Sequence, residues 1–177
     1  LVMNTPGGNN TSAAEHAIAM MFALARHVPQ ATASMKAGRW EKSRFKGVEL
    51  TDKVLGIVGL GRIGRIVADR ALGLRMRVIA SDPFVSADEA PEGVEMLDLD
   101  SVLERSDLVS IHAPLMNATR GLFNRDLFAR MKPGARLIHV ARGGIVVEAD
   151  LLAALESGHL AAAAIDVWES EPTAADN

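Results

Sequence analysis

Two stretches of the chain carry side chains capable of catalysis or of holding a charged ligand. In LIHVARGGIVVE, residues 137–148, His139 and Arg142 stand three positions apart at the end of an apolar run and ahead of two glycines. Histidine can move a proton near neutral pH, and arginine holds a carboxylate in a planar fork that stays charged. Along an extended strand, Leu137, His139 and Ala141 point to one face and Ile138, Val140 and Arg142 to the other. The two side chains are therefore expected not to work as a pair, with His139 packed or lining the rim of a site.

The second stretch, VLGIVGLGRIGRIVADRA, spaces Gly59, Gly61 and Gly64 as G-x-G-x-x-G, after an apolar strand and before a helix. A glycine triplet alone says little, but this context is the one in which it binds a pyrophosphate. Gly59 would permit the tight turn, Gly61 the approach of phosphate to backbone, and Gly64 close packing of helix on strand. The amides of Arg62 and Ile63 would face the phosphates from the helix N-terminus. The following strand, RVIASDPF, ends in Asp82, about 20 residues further on, where a carboxylate accepts from ribose hydroxyls and repels a 2′-phosphate. No arginine follows closely, so the expected cofactor is NAD rather than NADP. A later strand ends in IHAPLMNATRGLF, and His112, Ala113, Pro114 and Thr119 are expected beside the nicotinamide half, Thr119 capping the next turn. His112 has no evident orienting partner, which favours a lining role over a basic one.

These residues need a framework, and the apolar pattern supplies one. Strands are expected at Val54–Val58, Arg77–Ser81, Leu108–His112, Arg136–Val140 and Ala161–Val167, with a weak one near Val94. Helices are expected at 63–72, 98–105, 124–131 and 148–157. Strands apolar on both faces belong in a parallel sheet covered by helices on each side. The fold class is thus α/β, a Rossmann-type doubly wound parallel sheet. Ahead of it, Ser12 and Glu15 have capping-box spacing, and 13–35 predicts a long N-terminal helix bent or interrupted near Pro29. KAGRWEKSRFKG then reads as an exposed connector, with a boundary near 47–53.

Composition narrows the function classes. With 49% hydrophobic and 23% charged residues among 177, the chain has the makeup of one folded domain. A formal charge of −3 gives no reason to expect nucleic acid or an anionic membrane as partner. Cysteine is absent, which excludes disulfides and thiolate metal sites and fits the cytoplasm; no metal is expected. No apolar run approaches the roughly 20 residues that span a bilayer, and no export signal opens the chain. It begins at Leu1 and stops on TAADN, as a piece of a longer protein would.

The ordered stretches TPGGNNTSAAEHAIAMMFALAR, GLGRIG, SDP, HAPL, VARGGIV and IDVWESEP resemble the D-isomer-specific 2-hydroxyacid dehydrogenases, within them the branch acting on 3-phosphoglycerate in serine biosynthesis. The resemblance covers nearly the whole chain and implies a nearly complete NAD-binding domain over 1–177. By that likeness Arg142 would bind the carboxylate and carbonyl of a small 2-hydroxy acid. Glu171 would orient a general acid/base histidine, and Asp166, Val140 and Ala141 would line the cofactor with Arg142. Glu169, two residues from Glu171, leaves that assignment resting on Pro172. The family's histidine follows the EP dipeptide in a segment that none of His16, His27, His112, His139 or His159 matches. The substrate-binding domain is likewise absent, so the isolated chain is expected to turn over little or nothing. Val147 stands where relatives often carry aspartate, and Glu148 can supply the acidic first turn instead. The resemblance further implies homodimers or higher homo-oligomers through this domain, with Trp40 as a candidate anchor. Alternatives are a glyoxylate, hydroxypyruvate or D-lactate enzyme of the same family, or an NAD-sensing corepressor-like binding protein.

Overall fold

A computed structural model describes residues 7–173; the expectations that fall on Thr5, Pro6 and the tail beyond Thr173 lie outside it. Two helices, α1 (Asn10–Arg26) and α2 (Val28–Lys36), precede the sheet. There follow β1 (Val54–Val58), α3 (Arg62–Gly73), β2 (Arg77–Ser81), β3 (Val94–Met96) and α4 (Leu99–Arg105). The second half comprises β4 (Leu108–Ile111), α5 (Arg125–Arg130), β5 (Arg136–His139), α6 (Glu148–Glu156) and β6 (Ala162–Ile165). The six strands form one sheet in the order β3-β2-β1-β4-β5-β6, every neighbouring pair parallel. The doubly wound architecture inferred from the apolar runs is the one observed.

All five residues of β1 are buried, as a central strand covered on both faces requires. On one face α1 and α3 pack over Leu55, Ile57, Val78 and Ile138. On the other, α4, α5 and α6 close over Val109, Ile111 and Leu137 with Phe123 and Phe128 between them. The buried positions of α3, Gly64, Val67, Ala68 and Ala71, follow the three-to-four spacing of a single helical stripe. α1 buries Ala14, Ala17, Met21 and Ala25, mostly small residues that let it lie close against α3 and reach β5 and β6.

The interruption expected near Pro29 is present: the stretch forms two helices, and the break falls at His27, two residues ahead of the proline. His27 sits in the left-handed region at φ 54°. Pro29 lies in the first turn of α2, where its missing N–H costs nothing. A continuous helix would aim Pro29 at the carbonyl of Ala25, four residues back; that carbonyl instead receives the N–H of Val48 at 2.9 Å. The capping box at Ser12 is also not formed. The helix starts earlier, at Asn10, and the Ser12 hydroxyl donates back to the Asn9 carbonyl at 3.0 Å. Asp98 and Asn124, expected as the first residues of α4 and α5, are their N-caps, accepting from Ser101 and Leu127.

Gly64 lies against the carbonyl of Gly59, and a Cβ at this position would collide with that backbone oxygen. Gly64→Ala should therefore lower stability by about 2 kcal/mol, the order of cost for overpacking a site whose neighbour is backbone. Urea denaturation of the two proteins measures it, and coincident midpoints would contradict the packing described.

Candidate functional site

The carboxyl ends of β2 and β4 meet at the first turn after β1, with the end of β5 next along the same edge. There Gly59 adopts φ 96° and donates its N–H to Ser81 at 2.9 Å. A Cβ on Gly59 would come within 2.7 Å of the Ala113 nitrogen, so this glycine is where the turn meets the chain leaving β4. Gly61 caps α3 in extended backbone, and the volume a side chain would occupy there is open. The first amides of α3, those of Arg62 and Ile63, have no acceptor within the helix and give this opening a positive dipole end. The cradle fits a pyrophosphate: backbone donors, no obstructing Cβ, and a helix N-terminus.

Asp82 follows β2 and is held by two backbone donors. Its Oδ2 accepts from Leu60 N–H at 2.7 Å and its Oδ1 from Phe84 N–H at 2.8 Å. The strand-end carboxylate thus stands beside the glycine turn, half-buried. A carboxylate has lone pairs beyond these two bonds and can still accept from ribose hydroxyls.

His112, Ala113 and Pro114 leave β4 along the same edge. The hydroxyl of Thr119 donates to the Pro114 carbonyl at 2.6 Å and accepts from Met116 N–H at 2.8 Å. Thr119 therefore closes the turn before it, not the one after as expected, because its side chain reaches back over the tight loop of 116–119. His112 does have a partner: its Nε2 lies 2.8 Å from the hydroxyl of Ser110, two residues back on the same strand face.

β5 stops at His139, so the alternation that separated His139 from Arg142 does not continue to Arg142. The chain turns, and His139 Nε2 donates to the backbone carbonyl of Arg142 at 3.0 Å. The expectation of a packed His139 holds, since it is 1% exposed. Among the described residues the two side chains form no hydrogen bond with each other; the bond that joins the residues runs from the ring to the Arg142 main chain. Val140 and Ala141 are half-buried; the Arg142 side chain is exposed, and its Nη1 bonds the Ala141 carbonyl at 2.6 Å. Gly143 lies so close to the Trp168 carbonyl that any Cβ would overlap it.

That contact joins the arginine loop to the segment after β6. Within the segment Glu169 is already engaged. Its carboxylate accepts from Glu148 N–H at 3.0 Å, and its own N–H donates to the Glu148 carboxylate at 2.5 Å, so the two residues cap α6 reciprocally. The acidic first turn expected of Glu148 is present. Glu171 is exposed and, among the described residues, accepts only from Trp168 N–H, at 3.0 Å. Among the described residues no ion pair joins Arg142 to Glu171. Asp166, just past β6, is 3.2 Å from His16 Nε2 on α1. Nothing in the sequence pointed to His16, since the course of α1 across β5 and β6 is a tertiary fact.

Residues 18–177 match the family model described as "D-isomer specific 2-hydroxyacid dehydrogenase, NAD binding domain". The chain is 49% identical over its whole length to D-3-phosphoglycerate dehydrogenase of Archaeoglobus fulgidus, covering 34% of that protein. It is 51% identical over 97% of its length to the Homo sapiens protein of the same name, covering 32% of it. The chain thus spans about a third of the length of the curated relatives it matches. Among solved structures, an NAD-dependent formate dehydrogenase from Staphylococcus aureus in complex with NAD superposes with a TM-score of 0.90 at 35% identity, over 96% of this chain and 51% of that one.

His112 and His139 stand side by side at the ends of β4 and β5, and Nδ1 of each is buried with no partner among the described residues. Burial holds His112 at a pKa of about 4, with His139 nearby as a second cause. Burial likewise lowers His139 to about 4, against a small opposing effect of its bond to Arg142. Both imidazoles are neutral at physiological pH. Between pH 6.5 and 4 the unfolded chain takes up protons that the native state refuses, so stability should fall as pH drops through that window and this loss should end below it. The full shift corresponds to about 3 kcal/mol per histidine. Urea titrations at pH 7 and pH 4.5 on wild type and on a His112→Gln/His139→Gln variant check this. The variant should lose less stability between the two pH values, and equal losses would contradict the assignment.

Proposed function

The chain belongs to the D-isomer specific 2-hydroxyacid dehydrogenase family as an NAD-binding domain, and from that membership we propose that it serves an enzyme oxidising D-3-phosphoglycerate to 3-phosphohydroxypyruvate, the first step of the phosphorylated route to serine. The observation that carries the reading is the half-identity to D-3-phosphoglycerate dehydrogenases over essentially the whole chain. The arrangement of the sheet edge supports it. A dinucleotide cradle and two loops bearing an exposed arginine and a free glutamate meet there, held together by the Gly143 and Trp168 contact.

In this reading the amides of Arg62 and Ile63 beside Gly61 receive the pyrophosphate, Gly59 and Gly64 hold the turn open, and Asp82 accepts from the adenosine ribose. His112, Ala113, Pro114, Thr119, Val140, Ala141 and Asp166 line the nicotinamide half. When bound, the nicotinamide supplies the hydride acceptor for the substrate carbon. Arg142 holds the substrate carboxylate bidentately and, as the hydroxyl becomes a carbonyl, keeps its oxygen polarised. The hydroxyl proton goes to a histidine outside this chain, and Glu171 fixes the tautomer of that histidine and stabilises its charged form. Glu169 is unsuited to the task because both its carboxylate and its amide are committed to α6.

The same reading extends to assembly and compartment. Trp40, 78% exposed beside exposed Met35, is proposed as an anchor between two copies through this domain. No described helix is long and apolar enough to cross a membrane, and the cytoplasm is the proposed compartment.

In the full-length enzyme, NADH formation should be fastest with D-3-phosphoglycerate among 2-hydroxy acids, and Arg142→Lys should cut kcat/KM by about 100-fold or more through loss of the fork. Faster turnover of glycolate or D-lactate would redirect the substrate, and an undiminished Arg142→Lys would remove Arg142 from the site. Separately, Asp82→Ala should raise KM for NAD and narrow the preference over NADP. An unchanged NAD/NADP ratio would sink that assignment.

A further inference from the structure

We propose that His139 is a positioning residue for Arg142: by donating from Nε2 to the Arg142 main-chain carbonyl it sets the direction in which the arginine leaves the loop. The inference rests on the reading of Arg142 as the carboxylate-binding group.

The argument begins with what does not hold the arginine. Its guanidinium is exposed, and its one hydrogen bond among the described residues, at 2.6 Å, is to the carbonyl of the preceding residue. Among the described residues it has no carboxylate partner. An exposed side chain with four rotatable bonds and no ion-pair partner among the described residues is aimed chiefly by its backbone. The backbone from 140 to 144 is in turn pinned at few points. Asp166 N–H donates to the His139 carbonyl at 3.0 Å, Gly121 N–H donates to the Gly144 carbonyl at 2.8 Å, and Gly143 abuts Trp168. Between these, the carbonyl of Arg142 has a single partner among the described residues, His139 Nε2 at 3.0 Å.

The chemistry of that bond fixes the state of the ring. A carbonyl only accepts, so Nε2 carries the hydrogen and Nδ1 is bare, which agrees with Nδ1 being buried without a partner among the described residues. The ring itself cannot swing, being 1% exposed and at the last residue of β5, directly opposite Ile111 of β4 and Ile165 of β6. A rigid donor on a strand end thus grips the peptide that follows the arginine's own Cα. Rotation of that peptide would leave a buried imidazole donor unsatisfied, and so resists any reorientation of Arg142.

The test uses the full-length enzyme and three replacements. His139→Leu fills the space without a donor, His139→Gln places an amide N–H at about the reach of Nε2, and His139→Asn keeps an amide too short to reach. With D-3-phosphoglycerate and NAD, the leucine variant should lose about tenfold or more in kcat/KM, chiefly through KM for the hydroxy acid. Its dissociation constant for NADH, read by fluorescence, should stay within about twofold of wild type, and the glutamine variant should recover most of the loss. Should the leucine variant fail to fold, glutamine against asparagine makes the same comparison. The inference is overturned if leucine leaves kcat/KM unchanged, if glutamine performs no better than leucine or asparagine, or if NADH affinity falls in step with kcat/KM. In an Arg142→Ala background, His139→Leu should cost nothing further in kcat/KM, and an additional tenfold loss would also overturn it. If Arg142→Ala alone keeps full activity, the reading of Arg142 has failed and the inference with it, an outcome distinct from failure at His139.

Discussion

The contact on which the rest of the structure depends is between two stretches of backbone. Where α3 leaves β1, Gly64 rests on the carbonyl of Gly59 at a separation no side chain would allow. That approach seats α3 on the sheet with its N-terminus at the carboxyl edge, and the stripe of Val67, Ala68 and Ala71 then buries itself without a gap. It also fixes the turn against which two further strands are measured. Asp82 reaches it through Leu60, and the chain leaving β4 reaches it through the close approach of Gly59 to Ala113. Three loops are thereby held in one place, two by the close approach of main-chain atoms and the third by the Asp82 carboxylate on the Leu60 amide.

The second half of the site repeats the device with different residues. Gly143 permits the arginine loop to lie on the carbonyl of Trp168, and Glu148 and Glu169 lock the base of the latter segment to α6 by a reciprocal pair of hydrogen bonds. The consequence is a division of labour between two glutamates two residues apart. One is spent on structure, and the other is left facing solvent with a single backbone donor. A carboxylate so placed has free lone pairs for a further partner, whereas a carboxylate buried in a cap does not. Spacing alone could not separate them, because the difference lies in where α6 begins relative to β6.

Legibility in the sequence followed the range of the interactions. Central strands announced themselves as largely apolar runs, since a strand covered on both faces has few polar positions to interrupt it, and the glycine fingerprint was readable because its geometry is local. The extent of β5 and β6 was less so. Both end earlier than the apolar run, β5 at His139 and β6 at Ile165, because the register ends where the arginine loop turns away. The break at His27 was displaced by two residues from the proline that causes it, as the clash acts on the carbonyl four positions upstream. The pairing of His16 with Asp166 and the bond from His139 to Arg142 were not legible. The first depends on the path of α1 over the sheet, the second on the strand stopping just where alternation would otherwise put the two residues apart.

A buried histidine is a costly choice for a donor, and the cost clarifies what the position requires. Serine or threonine is too short to reach three residues along a turning chain. A lysine could reach but would bring a second cation beside Arg142, which in the proposed reaction would compete for the same carboxylate and oppose a positively charged nicotinamide. An imidazole held at about 4 by burial supplies a rigid N–H with no charge over the physiological range. The same burial that keeps it neutral forbids it from shuttling protons at neutral pH, and His112 next to it is under the same restriction. The two histidines at this sheet edge are therefore suited to holding backbone and lining a cofactor, and in the proposed reaction the proton falls to a group in a more polar setting while Arg142 supplies a fixed positive charge.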